Sequence, residues 1–263
     1  MALLNTYSSY MPLGSINPVL QNIHEVSSTA NHKIGDLLAL ADGRRFRYAK
    51  TYGTTVIKGK CVANSLSTSV VTGITCTVNH PTAGTYAVGT ISIAIDAMTD
   101  ASTVTFAADE LVGGYLVTGV VGDTYPIVGN TAVASNGCTI QLGEGLRVSL
   151  ADNVATLRVV PSPFAAVTST YTAASSFIAG VSAVTAATSG SYIWVQTKGI
   201  VGAYTTVNTD ITIGTFVEAG DNGIFDVVTT GDITTCIGRM AMTNATTTVS
   251  DVDGWYPIYL TLE

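Results

Sequence analysis

From Thr54 to Val160 the chain is a succession of short runs rich in Val, Ile, Thr and Tyr, among them Thr68–Val78, Thr90–Ile95, Tyr115–Val121, Cys138–Leu142 and Thr156–Val160. Gly, Asn, Asp and Pro break these runs about every 8–12 residues, the spacing of strands in an antiparallel barrel or sandwich. β-Branched and aromatic side chains suit a pleated, half-buried surface. Capping residues followed by a 3.6-residue apolar period occur nowhere for more than about two turns. The sequence therefore predicts an all-β fold, an antiparallel β-barrel or sandwich body with very little helix.

Pro161 and Pro163 interrupt the pattern, and Ala165–Ser191 is almost entirely Ala, Ser, Thr, Val and Gly. Strand signals then resume in Tyr192–Lys198 and close the chain in Trp255–Leu262. Residues 1–34 carry Pro12, Pro18, Gly14 and several Asn and Ser, without a sustained period. The expected division is an extended N-terminal arm over 1–34, a β-barrel or sandwich domain over 35–162, and a second β domain or subdomain over 163–263. Leu3, Leu4, Tyr7, Tyr10 and Met11 make the arm too apolar for a purely solvated tail, so it is expected to lie on a partner.

Nearly half of the residues are hydrophobic, yet no run of about 18 apolar residues exists, which argues against a membrane-spanning helix. The N-terminus MALLNTYSSYMPLGS lacks a basic start and a continuous apolar core, so folding in a cytoplasm is expected. In that reducing setting Cys61, Cys76, Cys138 and Cys236 are expected to be buried free thiols. Their spacing fits no zinc framework, and a Cys61–Cys76 bridge is the alternative.

Charge is unevenly placed. Residues 1–60 hold seven of the eleven Lys and Arg but only three acids, and the remainder of the chain is strongly acidic, giving −7 overall. Arg44, Arg45, Phe46, Arg47, Tyr48, Lys58 and Lys60 form the densest part of this segment. Interleaved aromatic and basic residues can stack and neutralise a single-stranded nucleic acid. The acidic balance of the whole chain opposes that reading. Arg and Tyr are also favoured anchors at protein interfaces. The ordering is protein docking first, a solvated charged strand edge second, and direct nucleic-acid binding third.

No catalytic constellation is visible. The chain has three histidines: His24 and His32 lie in the arm and His80 in the turn-like Asn79-His80-Pro81. There is no nucleophile elbow, P-loop or H-E-x-x-H motif. Gly143-Glu144-Gly145 reads as a hairpin turn. Asp251-Val252-Asp253-Gly254 begins like a calcium loop but lacks the further ligands, so a tight turn is preferred. Glu218–Gly223 reads as an oxygen-rich loop. No catalytic residue, metal ligand or cofactor is assigned.

Asp36-Leu37-Leu38, Ala41–Ala49 (ADGRRFRYA) and Val56–Lys60 (VIKGK) together resemble the N-terminal signature of auxiliary head proteins of tailed bacteriophages, also called decoration or cement proteins. Asp109–Thr118, Gly122–Ile127 with Asn130, Tyr192–Gly199 and Trp255–Leu262 are similar to later segments of the same group, so the resemblance covers about residues 33–263. It implies a non-enzymatic virion protein on the outer capsid surface that staples neighbouring major capsid subunits. Homo-oligomerisation, with a trimer favoured, and assembly in the host cytoplasm follow from the same resemblance. Residues 1–60 are then the expected capsid contact, through Arg44, Arg45, Phe46, Arg47, Tyr48, Lys58 and Lys60. The alternative is a host-attachment or glycan-binding virion module, a fibre or tail component, in which Trp194, Trp255 and nearby tyrosines form an exposed aromatic platform.

Overall fold

The computed structural model describes residues 21–53, 55–64, 74–82, 84–99, 106–119, 122–134, 137–153, 156–170, 177–205, 213–228, 236–241 and 254–263. It is an all-β protein in which the one helical element among the described residues is a 3-10 turn at Asp221–Gly223. The chain forms two compact units: one is Leu66–Ala165, and the other is assembled from the chain on either side of it.

The outer segments contribute β1 (Leu37–Ala39), β2 (Arg45–Lys50) and β3 (Cys61–Asn64) before the inserted unit. The inserted unit holds β4 (Ile74–Val78), β5 (Thr85–Tyr86), β6 (Ser92–Thr99), β7 (Tyr115–Thr118), β8 (Thr124–Asn130), β9 (Cys138–Leu142), β10 (Leu150–Ala151) and β11 (Thr156–Val160). After it come β12 (Val167–Thr168), β13 (Ile178–Ser182), β14 (Tyr192–Thr205), β15 (Phe216–Ala219), β16 (Phe225–Val227), β17 (Cys236–Met240) and β18 (Gly254–Thr261).

In the inserted unit β11-β4-β6-β9-β8-β7 close into an antiparallel barrel, while β5 and β10 pair separately. Alternation along each strand decides which side chains enter. Ile74, Cys76 and Val78 of β4, Ile140 and Leu142 of β9, and Leu157 and Val159 of β11 all point into one buried cluster. A fully buried Leu or Ile side chain contributes about 1.5–3 kcal/mol, and closure leaves the six strands no unpaired edge. The Asp109–Thr118 motif supplies β7 and the turn before it. Asp109 takes a left-handed φ of 61° there. The buried Asn130 side chain accepts from Leu111 N at 2.9 Å and donates to Ala107 O at 3.0 Å, tying that turn to β8.

The outer unit is a ten-stranded sheet organised by the long strand β14. Its first half pairs with β2, from Tyr192 opposite Lys50 to Lys198 opposite Arg45, and with β13 at Val195 and Gln196. Its second half pairs with β18, from Lys198 opposite Thr261 to Thr205 opposite Gly254. The path continues through β17, β15 and β16 and returns to β14 by a parallel bridge, Thr205 to Phe225. Val217, Phe225, Ile258 and Leu260 are buried inside this ring.

Two expectations change. The domain division at 35–162 and 163–263 does not follow the compact units. Residues 35–64 join the second half of the chain because β2 and β3 hydrogen-bond to β14 and β13. Within the expected 1–34 arm, residues from Gln21 onward also pack on the protein's own sheet. Residues 1–20 lie outside the described residues, but Gln21 and Ile23 are buried against the protein's own sheet, and Ser27 bridges to Tyr192.

Candidate binding surfaces

The β1–β2 hairpin turns at Asp42-Gly43. Gly43 supplies the positive φ of 87° that the Asp42-Gly43 turn needs. Asp42 then braces the turn by accepting from Arg44 N at 3.0 Å and from Arg44 Nε at 2.7 Å. Slight burial opposes ionisation of Asp42, but these hydrogen bonds and the Arg44 charge outweigh it and hold the carboxyl below its usual range.

β2 alternates, and this separates the seven candidate residues. Phe46 and Tyr48 face inward and are 0% exposed. The expectation that they reach a partner is therefore corrected: they are core residues, packed with Leu38, Ile23 and Trp194. Tyr48 Oη donates to Gln21 Oε1 at 2.6 Å and accepts from Asn31 N at 3.1 Å. Gln21 Nε2 donates to Tyr192 O at 2.8 Å, and Trp194 Nε1 donates to Gln21 O at 3.0 Å. Desolvation pushes the Tyr48 phenol up to about 12. Gln21 was missing from the sequence-derived candidates because an isolated Gln in a Pro- and Ser-rich stretch has no pattern that marks it as buried.

On the other side of β2, Arg45 and Arg47 are half-buried and reach the surface. Arg47 pairs with the carboxylate of Glu263 and donates to Gly35 O at 2.9 Å. Arg44 lies over the Phe46 ring at 5.7 Å. Arg45 is the register partner of Lys198. Neither Arg45 nor Lys198 has an acidic partner among the described residues. The hairpin and the facing part of β14 thus carry a cationic strip in which Arg44 and Arg47 are ion-paired to Asp42 and Glu263 and Arg45 and Lys198 are not, and the sequence had not grouped Lys198 with the arginines.

Lys58 and Lys60 belong to a second surface. Between them Gly59 is buried, with φ 72°, beneath the indole of Trp255. A Cβ at Gly59 would fall 1.8 Å from Trp255 Cζ3. Tyr204 N donates to Gly59 O at 2.9 Å, and the Tyr204 ring meets Trp255 edge-on with centroids 5.8 Å apart. Lys60 Nζ lies 5.6 Å from the Tyr204 ring centroid and donates to Asn222 O at 3.2 Å. Trp255 remains 55% exposed, whereas Trp194 is 0% exposed, so the expected platform of both tryptophans reduces to Trp255 and its neighbours.

Among the described residues no group of His, Cys, Asp and Glu could hold a metal ion. Asp251–Asp253 lie outside the described residues. His80 organises its own turn: Nδ1 accepts from Gly84 N at 3.2 Å, and the ring packs on Tyr86. All four cysteines are free, with Cys61, Cys76 and Cys138 buried and Cys236 half-buried. No helix among the described residues is long and apolar enough to cross a membrane. Compared with protein-family models, with curated proteins and with solved structures, the chain matches none.

Proposed function

We propose that this chain is a non-enzymatic structural protein of a tailed-phage virion that binds the outer capsid surface and staples neighbouring major capsid subunits, as a homo-oligomer, with a trimer favoured. One observation carries the reading. Three of the separated segments that resemble auxiliary head proteins, 41–49, 192–199 and 255–262, are hydrogen-bonded neighbours in one sheet. Segments placed side by side in this way are what a shared fold would require. The docking residues are Arg44, Arg45 and Arg47 with Lys198. A half-buried cationic strip in which Arg45 and Lys198 have no acidic partner among the described residues favours an acidic patch on the capsid and orients the encounter.

The test is co-sedimentation of the purified chain with capsid shells of the same phage at rising salt. Binding is expected at low salt and to weaken as ionic strength shortens the screening length. Arg45→Glu combined with Lys198→Glu breaks no ion pair among the described residues and should weaken binding by about tenfold or more. Undiminished binding by that double variant would remove the cationic strip from the interface. Failure of the unaltered chain to bind shells at any salt would end the capsid reading itself.

A further inference from the structure

On the outer face of the β14–β18 pair, the side chains that turn away from the buried ring are Trp255, Pro257 and Tyr259 on β18 and Ile200, Gly202 and Tyr204 on β14. The register sets them opposite one another: Tyr204 with Trp255, Gly202 with Pro257, and Ile200 with Tyr259. Trp255, Tyr259 and Ile200 are 55%, 44% and 57% exposed. Alternate residues on a strand are about 6.8 Å apart, so Trp255 and Tyr259 stand about 13 Å apart with the Pro257–Gly202 floor between them. A Cβ at Gly202 would have nothing within 4 Å, so that floor is open to solvent.

We propose that this face is a carbohydrate-binding platform that takes an oligosaccharide lying along β18 from Trp255 to Tyr259. The inference does not rest on the capsid reading. Trp255 is held in advance of any ligand, with Gly59 beneath it and Tyr204 at its edge, so binding does not have to immobilise the indole. A pyranose ring has an apolar face of C–H bonds and a rim of hydroxyls. The platform has the matching chemistry of open ring faces bordered by hydrogen-bonding groups. Lys60 Nζ is already fixed over Tyr204 and spends one donor on Asn222 O, which leaves two for sugar hydroxyls. A second copy of the chain fits less well. The exposed aromatics do not form one apolar patch: Arg239, the register partner of Tyr259, covers the Phe216 ring at 4.0 Å.

The test is binding of the full chain to an array of neutral, amino and acidic oligosaccharides, followed by titration of the strongest sugar against tryptophan fluorescence. Trp194 is buried, so a ligand-induced change in emission reports on Trp255. Trp255→Ala should weaken binding by about tenfold or more. Because Trp255 also packs on Gly59, Gly202→Gln is the independent variant, since it fills the floor from the solvent side and displaces no existing contact. It should weaken binding as much, while Tyr52→Ala, at an exposed tyrosine away from this face, should leave it unchanged. No binding to any sugar, or binding that survives both Trp255→Ala and Gly202→Gln, would overturn the proposal.

Discussion

Gln21 illustrates how one side chain can fix the entry of a chain into its fold. Its amide bonds join the N-terminal segment to Tyr48 and Tyr192, and its own carbonyl receives the Trp194 indole N–H. Gln21→Ala removes the acceptor of the buried Tyr48 hydroxyl proton and one of two donors to the Tyr192 carbonyl, and should cost about 1–3 kcal/mol. Urea unfolding followed by Trp194 emission measures it, and an unchanged midpoint would mean that the segment is not held through this residue. His32 packs against Tyr48 and Trp194 with centroids 5.1 and 5.0 Å away, and its Nε2 is buried without a hydrogen-bond partner. Desolvation lowers its pKa from 6.5, with Asp36 opposing. The unfolded chain therefore takes up the proton first as pH falls. This contribution to stability is complete above the unfolded value and declines as pH drops through it toward the folded value. Between pH 8 and pH 5 the native chain should lose more stability than His32→Phe, which keeps a ring and cannot titrate; equal losses in urea titrations would assign the pH dependence elsewhere.

At the scale of elements, the strands themselves were legible in the sequence and their partners were not. Alternation in Arg45–Ala49 places Phe46 and Tyr48 opposite Arg45 and Arg47, so the burial of the two aromatics was implicit in the pattern. The Asp-Gly turn fixed the β1–β2 hairpin because its signal is local. The pairing of β2 with β14 is non-local, and neither strand's composition names the other. The same holds for the surface at Trp255: Gly59 and Trp255 are far apart in sequence, and the Tyr204 N–Gly59 O bond together with the register of β14 with β18 brings them together. Gly59→Ala tests that seat. A left-handed φ costs a non-glycine residue about 1–2 kcal/mol, and the added methyl must also displace the indole. The variant should be destabilised by at least that amount with altered Trp255 emission, and a native-like spectrum and midpoint would show that the indole has another resting place. Thiol chemistry separates elements in the same way. Cys76 and Cys138 point into the barrel, where desolvation raises their pKa values to about 12 and about 11. Only the thiolate reacts, so iodoacetamide at pH 8 should leave both unmodified in the native chain and modify Cys236 first. Mass spectrometry of the alkylated protein reads this directly, and early labelling of Cys76 would contradict a closed barrel.

At the scale of the whole molecule, the chain interrupts one β unit to build another, and the two have different dependence on sequence continuity. The inserted unit is a single stretch, closes six strands without an open edge, and gathers its buried side chains into one cluster of its own. A segment of this size with its own core has what independent folding needs. The residues of the outer unit that precede the insertion have no such autonomy. β3 finds its partners only in β12 and β13, and β2 completes its pairing only once β14 exists, so the residues before the insertion form no more than the β1–β2 hairpin alone. Expressed by itself, Leu66–Ala165 should give a β-type circular dichroism spectrum and one cooperative melt. The reciprocal chain, with that segment replaced by a short Gly-Ser linker, should keep the Trp194 environment, since Gln21, Tyr48 and Trp194 all belong to the outer unit. An isolated insertion that stays unfolded while the linked outer unit folds would mean that the barrel depends on its host. Collapse of both would mean that the division into compact units does not correspond to separable folding.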